Sequence, residues 1–282
     1  MKLLIVLVLY EKELYSTSSF ISLTRNAVIE ELNYKLLVYD NSKRVQEIRK
    51  TTTTPFEYNH SIKNDGVLGA YKRALDVANK EGYDWILFLD DDTTLPNDFL
   101  KRTSDSLKMI VQDQDIVVLV SKIFDRGKLI SPSIVFRGGI HRPIKESFTG
   151  ISDKRICAIG SCSVLRTSFI NEKGGFDTVF WLDCLDRWIF YKIHDSNKKV
   201  FISDIRLNHE LSIENYSDRV TLQRYEQILF YEDLFIRTTG KKGDYFIFYL
   251  RLVLRLLKMS LSKTTLSFAR KTLKFLVWKK SI

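Results

Sequence analysis

The chain has 282 residues, 45% of them hydrophobic, so it can bury a sizeable core and is neither a disordered tract nor a small disulfide-stapled domain. Its three cysteines, Cys157, Cys162 and Cys184, show no paired metal-type spacing and form no disulfide framework, which points to a reducing, cytoplasmic compartment. The net charge of +10 sits at one end: from Lys241 onward there are 11 Lys or Arg against one acid, leaving 33 of each sign before it, which argues against a nucleic-acid groove on the main body.

The first apolar run, Leu3 to Leu9, is followed at once by Glu11, Lys12 and Glu13. That is too short to span a membrane and a poor secretory signal, so it is expected to be a buried strand. Ser19 to Leu32 has helical apolar spacing. Lys35 to Tyr39 reads as a second strand, ending at Asp40-Asn41-Ser42. A helix is expected from Gly69 to Glu81, stopped by Gly82, and a third strand from Trp85 to Leu89, ending at Asp90-Asp91-Asp92. Ile116 to Val120 reads as a fourth strand. Strands alternating with helices predict a doubly wound α/β half over residues 1–120, with a mostly parallel sheet and ligands beyond its carboxyl ends.

Residues 121–240 are less regular, with turns at Ser131-Pro132, Gly138-Gly139, Gly160-Ser161 and Gly174-Gly175. No Gly/Pro/Ser-rich linker separates the halves, so 1–240 is expected to be one domain and 241–282 a helical tail. In that tail Arg251, Arg255 and Lys258 fall on one helical face and Tyr245, Phe248, Leu252, Leu256 and Met259 on another. A second amphipathic helix follows, with Leu266, Ala269, Leu273, Leu276 and Val277 opposing Lys263, Arg270, Lys271 and Lys274. Such helices suit an anionic membrane surface; packing on the catalytic domain or on a second subunit, as a homodimer, is the alternative. On the membrane reading, a chain cut after Gly240 stays folded and no longer binds anionic liposomes.

Three consecutive aspartates at the end of a buried strand repel one another unless a cation shares them. A hard divalent ion, Mg²⁺ or Mn²⁺, held by protein carboxylates and two diphosphate oxygens, is the natural guest. The alternative is a loop in which Asp92, with Thr93 and Thr94, caps a helix beginning near Pro96.

From Leu3 to about Leu211 the chain resembles glycosyltransferase family 2, inverting enzymes of the GT-A (Rossmann-like) fold. The resemblance rests on Leu9-Tyr10, Val38-Tyr-Asp-Asn-Ser42, Asn64-Asp-Gly-Val-Leu-Gly-Ala70 and Leu87-Phe-Leu-Asp-Asp-Asp-Thr93, in that order. It implies that 1–120 is the nucleotide-sugar half and 121–240 the acceptor half. It further implies Asp40 on the nucleotide base, Asn64 and Gly66 near the ribose and diphosphate, with Tyr10 and Asp91 beside them, and Asp90 with Asp92 on the metal. His209, in Asn208-His-Glu-Leu-Ser212, resembles the late histidine that completes such a site. The segment Phe180-Trp-Leu-Asp-Cys-Leu-Asp186-Arg-Trp resembles the one carrying the catalytic base, either Asp183 or Asp186. Its Asp-x-x-Asp-x-Trp pattern is similar to a subgroup of rhamnosyl- and galactofuranosyltransferases of capsule or O-antigen assembly. The implied activity is metal-dependent transfer of a hexose from a UDP- or dTDP-sugar to a polysaccharide or lipid-linked saccharide, peripheral at the inner face of the cell membrane. A nucleotidyltransferase would want a Gly-rich basic loop where Tyr10-Glu-Lys-Glu-Leu14 stands, and a non-catalytic membrane scaffold would not need the aspartates.

Overall fold

The structure is a computed structural model that describes residues 1–25, 32–48, 55–209 and 220–278. The chain forms two compact units, Met1–Ile134 with Pro143–Glu210, and Val135–Arg142 with Leu211–Ile282.

In the first unit the apolar runs become strands β1 (Lys2–Leu9), β2 (Asn33–Asp40), β3 (Phe56–His60) and β4 (Trp85–Asp90). Helix α1 (Ser18–Thr24) precedes β2, and α2 (Gly66–Glu81) joins β3 to β4. After β5 (Thr93–Thr94) and α3 (Phe99–Ile110) comes β6 (Ile116–Asp125), buried along its whole length. Five short strands follow, β7 (Lys128–Ser131), β8 (Ser133–Phe136), β9 (Ile140–Pro143), β10 (Gly150–Ile151) and β11 (Ile156–Cys157). β12 (Ser163–Arg166), α4 (Thr167–Glu172), α5 (Leu185–Asp195) and β13 (Lys199–His209) complete the unit. The central sheet runs β10-β13-β6-β12-β4-β1-β2-β3. β1, β2, β3 and β4 are parallel, β13 is parallel to β6, and β12 runs antiparallel between β4 and β6. This is the mostly parallel α/β sheet with flanking helices that the alternation predicts. Strands covered on both faces cannot alternate polar with apolar residues, which is why β1 and β4 are continuous hydrophobic runs.

Several boundaries move. α2 starts at Gly66 rather than Gly69, and ends where Gly82 adopts the left-handed conformation that closes a helix. The helix expected near Pro96 starts at Phe99 after Asp98, and Thr93-Thr94 pair with Asn208 and His209 of β13. The acidic cluster is therefore a strand-to-strand turn, not a helix cap. α1 accounts for Ser18–Thr24 of the predicted Ser19 to Leu32 helix; residues 26–31 lie outside the described residues.

The boundary expected after Gly240 also moves. The second unit holds α6 (Leu222–Thr239), α7 (Lys242–Ser260) and α8 (Leu266–Trp278), together with the hairpin tip between β8 and β9. Its core joins Tyr225, Leu229 and Ile236 of α6 to Phe248, Leu252 and Met259 of α7 and Phe268 of α8. Buried Tyr225 and Thr272 share a hydrogen bond of 2.7 Å. Arg251 donates to the carbonyls of Gly138 and Gly139, and Asp244 accepts from the Gly138 amide. The apolar face expected to meet a membrane through Phe248, Leu252 and Met259 thus packs inside its own unit, because α6 supplies an apolar partner.

Candidate active site

Strand register builds the site. β1 pairs Val8 with Asp90 and Leu9 with Asp40, so β1, β2 and β4 end level on one edge. The chain runs from β1 outward to β3 and then crosses to β4 on the other side, so strand order reverses between β1 and β4. In open α/β sheets that reversal opens a crevice at the carboxyl ends, and Asp90-Asp91-Asp92 emerge there.

Two buried serines fix the acidic turn through its main chain. The Ser19 hydroxyl reaches the carbonyls of Asp90 and Thr93 and accepts from the Thr93 amide at 3.0 Å. Ser161 accepts from the Asp90 amide at 3.1 Å and lies 2.9 Å from the Thr93 hydroxyl. Burial, with the charges of Asp92, Asp91 and Asp186 adding, pushes the Asp90 carboxyl up to about 7. Burial also raises Asp91, against the pull of the Lys12 ammonium 2.5 Å from its Oδ1. Three adjacent carboxylates thus stand with the Lys12 ammonium in a partly desolvated turn.

Such a set of hard oxygens fits Mg²⁺ or Mn²⁺. Among the described residues, no three His, Cys, Asp or Glu side chains are gathered as a closed cage. An ion that takes one or two carboxylates plus substrate phosphates needs none. His209 ends β13 opposite Thr93 in backbone register, while its side chain lies outside the described residues.

Asp186 stands in the first turn of α5, which begins after Cys184 in left-handed conformation. The residue at the N-cap, Cys184, makes no side-chain cap bond, and Asp186 Oδ1 accepts from the Arg187 amide at 2.7 Å within the first turn. Asp186 stands beside the loop that holds the acidic turn: a Cβ on Gly160, next to Ser161, would sit 3.9 Å from the Asp186 Cβ and 2.6 Å from the Tyr71 hydroxyl, and the Asp186 charge acts on Asp90. Burial raises the Asp186 carboxyl, with Arg187 opposing and Asp183 adding. Tyr71, from α2, stacks on Phe88 of β4 with centroids 3.8 Å apart. Burial pushes its phenol well up, with the charges of Asp90 and Asp186 adding, so a neutral O–H stands beside both carboxylates. Ser161 lies in the Gly160-Ser161-Cys162 loop, which resembles a cleft-lining loop of the family, whereas Tyr71, Lys12 and Ser19 carry no such signal in sequence, because each acts through a partner distant in the chain.

The remaining predicted residues lie elsewhere on the same edge. Asp40 is fully buried; its Oδ1 accepts from the Ser42 amide, and its Oδ2 from Gln46 at 2.8 Å and Tyr58 at 2.6 Å. Both oxygens hold the turn after β2 rather than facing open space. Tyr10, just past β1, is half exposed. Asn64 takes a positive φ of 50° and accepts from the Gly66 amide. Gly66 is required: with φ at 64°, a Cβ would meet the Trp181 carbonyl at 2.4 Å. That carbonyl accepts from the Leu68 amide and so closes the start of α2. A cleft of about 590 Å³ opens here, lined among others by Tyr39, Asn64, Lys72, Arg73 and Trp181. Asn64 therefore serves this cleft, while the carboxylates gather nearer Gly160.

The sequence profile of Glycosyl transferase family 2 matches residues 5–172. No curated protein sequence matches the chain. Among solved structures, the chain is similar to GalNAc-T7 with UDP, GalNAc and Mn²⁺, at 14% identity and TM-score 0.57, over 83% of this chain and 49% of that one. It is also similar to S. aureus TarS, at 15% identity and TM-score 0.54, over 94% of this chain and 44% of that one. The TarS fragment 1–349 gives 13% identity and TM-score 0.52, over 88% and 71%. The chain thus spans about half the length or less of the GalNAc-T7 chain and the longer TarS chain, and at these identities the likeness establishes the GT-A fold. With more than half its length matched by one profile, the chain belongs to glycosyl transferase family 2.

Proposed function

We propose that the chain moves a hexose, with inversion, from a UDP- or dTDP-sugar to a hydroxyl of a lipid-linked polysaccharide intermediate at the inner face of the cell membrane. The observation that carries this is the meeting of Asp186 with Asp90-Asp91-Asp92 at the point where strand order reverses. Asp90 and Asp92 would hold Mg²⁺ or Mn²⁺, with His209 as a further ligand. A bound ion would supply positive charge to a departing nucleoside diphosphate. Asp186, raised by burial, is suited to take the proton of the attacking hydroxyl, because a base titrating nearer neutrality accepts more readily. Asp183 is the alternative base. Tyr10, Asn64 and Gly66 flank the donor, and Asp40 orders the turn on which a nucleotide base would rest. The presence of UDP and Mn²⁺ in the GalNAc-T7 structure, and of UDP in one of TarS, favours this chemistry. The Asp-x-x-Asp-x-Trp segment favours rhamnosyl- or galactofuranosyl-type transfer in capsule or O-antigen assembly.

A donor panel screened by thermal shift with Mg²⁺ or Mn²⁺ tests the proposal, since a bound donor stabilises the fold by mass action. Asp92→Ala should lose the metal-dependent shift. Asp186→Asn should keep it and lose about 10²-fold or more in transfer. If no nucleotide sugar shifts the wild-type chain with either metal, the transferase assignment fails. A chain that loses transfer on Asp183→Asn but not on Asp186→Asn moves the base to Asp183.

A further inference from the structure

α7 is apolar on two sides. Phe248, Leu252 and Met259 fill the core of the second unit, while Phe246, Leu250, Val253, Leu254, Leu257 and Leu261 are exposed, Phe246 at 73% and Leu261 at 88%. The spacing i, i+4, i+7, i+8, i+11, i+15 puts these six on one arc of about 100°. They form a ridge about 22 Å long at 1.5 Å per residue. Soluble monomers rarely leave an apolar stripe of that extent in water. Lys242 and Lys258 border the arc, and both are exposed. On α8 the exposed Leu266, Leu273 and Val277 share a face with Arg270 and Lys274 rather than opposing them as the spacing suggested, because Phe268, Ala269 and Thr272 take the buried side.

The charge of the unit selects the partner. Residues 135–142 and 211–282 contain 16 Lys or Arg and 6 Asp or Glu, a net of +10, so the other unit is neutral. The one acid of α7, Asp244, accepts from the amides of Gly138 and Lys241, and α8 has none. A second copy docked on this ridge would set +10 against +10, and like charges across an interface are costly. Protein interfaces favour aromatic residues, Met and Arg and are depleted in Lys, whereas this ridge has a single aromatic, Phe246, is otherwise Leu and Val, and has Lys at its borders. Aliphatic side chains edged by lysine suit the boundary between lipid headgroups and acyl chains. No helix among the described residues is long and apolar enough to cross a membrane, so the ridge would lie in the plane of that boundary.

We propose that the ridge from Phe246 to Leu261 is a docking surface for an anionic lipid bilayer, with α7 lying along it. Vesicle binding can fail while nucleotide binding stands, so the two proposals fail separately. The full chain would be floated with vesicles of phosphatidylcholine alone, or with about 30% phosphatidylglycerol, in about 0.1 M salt. Binding to the anionic vesicles should exceed binding to the neutral ones by about tenfold or more. The triple variant Leu250→Glu, Leu254→Glu, Leu257→Glu should reduce it about tenfold or more while keeping the wild-type melting temperature within a few degrees, as expected of exposed positions. As a second measurement, Leu254→Cys can be labelled with a polarity-sensitive dye, since the three native cysteines are buried. Its emission should shift to the blue on anionic vesicles. Equal flotation of wild type and triple variant, no flotation at all, or an unshifted dye overturns the proposal. So does a dimer in sedimentation that the triple variant dissolves, which would make a second copy the occupant.

Discussion

The hydroxyl of Tyr71 fills the space that a methyl group on Gly160 would need, since the two would stand only 2.6 Å apart. A helix residue and a loop residue 89 positions apart are thereby fitted together beside Asp186. Gly160→Ala should destabilise the fold by about 1–3 kcal/mol through overpacking. Combining it with Tyr71→Phe, which keeps the stack on Phe88 and deletes the hydroxyl, should recover most of that loss. Thermal unfolding of the four chains measures the coupling. Additive effects would show that the hydroxyl is not what excludes the methyl.

Asp90 gives stability a definite pH slope. Its carboxyl titrates at about 7 when folded, against about 3.9 in an unfolded chain. Below about pH 4 both states hold the proton. Between about 4 and 7 only the folded state does, so stability falls as pH rises through that window, by a few kcal/mol at most, and then levels off. Asp90→Asn should flatten the slope and raise the melting temperature at pH 8. Mn²⁺ should raise the wild type at pH 8 more than at pH 5, where it competes with the proton. A wild-type curve that rises from pH 5 to 8 without metal would contradict this.

Gly66 couples the start of α2 to the segment that leads to Asp186. With φ at 64° and the Trp181 carbonyl 2.4 Å from where a Cβ would stand, Gly66→Ala has no unstrained accommodation. It should cost about 1–3 kcal/mol in urea unfolding. Transfer should fall further than stability alone accounts for at temperatures where the variant is folded. Gly82→Ala, whose Cβ would meet nothing within 4 Å, should keep transfer unchanged.

A chain cut after Gly240 should not behave as an intact domain lacking an appendage. Tyr225, Leu229 and Ile236 would lose the α7 and α8 side chains that cover them. Limited proteolysis should cut within Leu222–Thr239 in the truncated chain and spare it in the full one. Protection of that helix in the truncated chain would restore the boundary at Gly240.

The sheet was legible because buried parallel strands must be continuous apolar runs, and Leu3 to Leu9 and Trp85 to Leu89 have no other use. The acidic turn was legible for the same reason: a strand that ends in three aspartates announces where water or an ion begins. Asp40 was only half legible. The sequence shows a turn-forming Asp-Asn-Ser, but that Tyr58 and Gln46 engage its carboxylate depends on how β3 pairs with β2. Tyr71 was invisible, since an aromatic residue at that spacing of α2 reads as core, and only the glycine at 160 reveals where its hydroxyl points. In the tail the periodicity of α7 was correct and the inner face misassigned. A helix apolar on both sides does not say which side its neighbours claim.

The clasp between Arg251 and the Gly138 and Gly139 carbonyls joins residues 113 and 112 positions apart. At 5–20 residues per second, a ribosome makes the hairpin about 6–22 s before it makes the arginine. During that interval the β8/β9 tip is served by water, and α6 must wait for α7 before Tyr225 and Ile236 are covered. The second unit therefore cannot close until α7 and α8 have been made, and its apolar surfaces stay open through that interval.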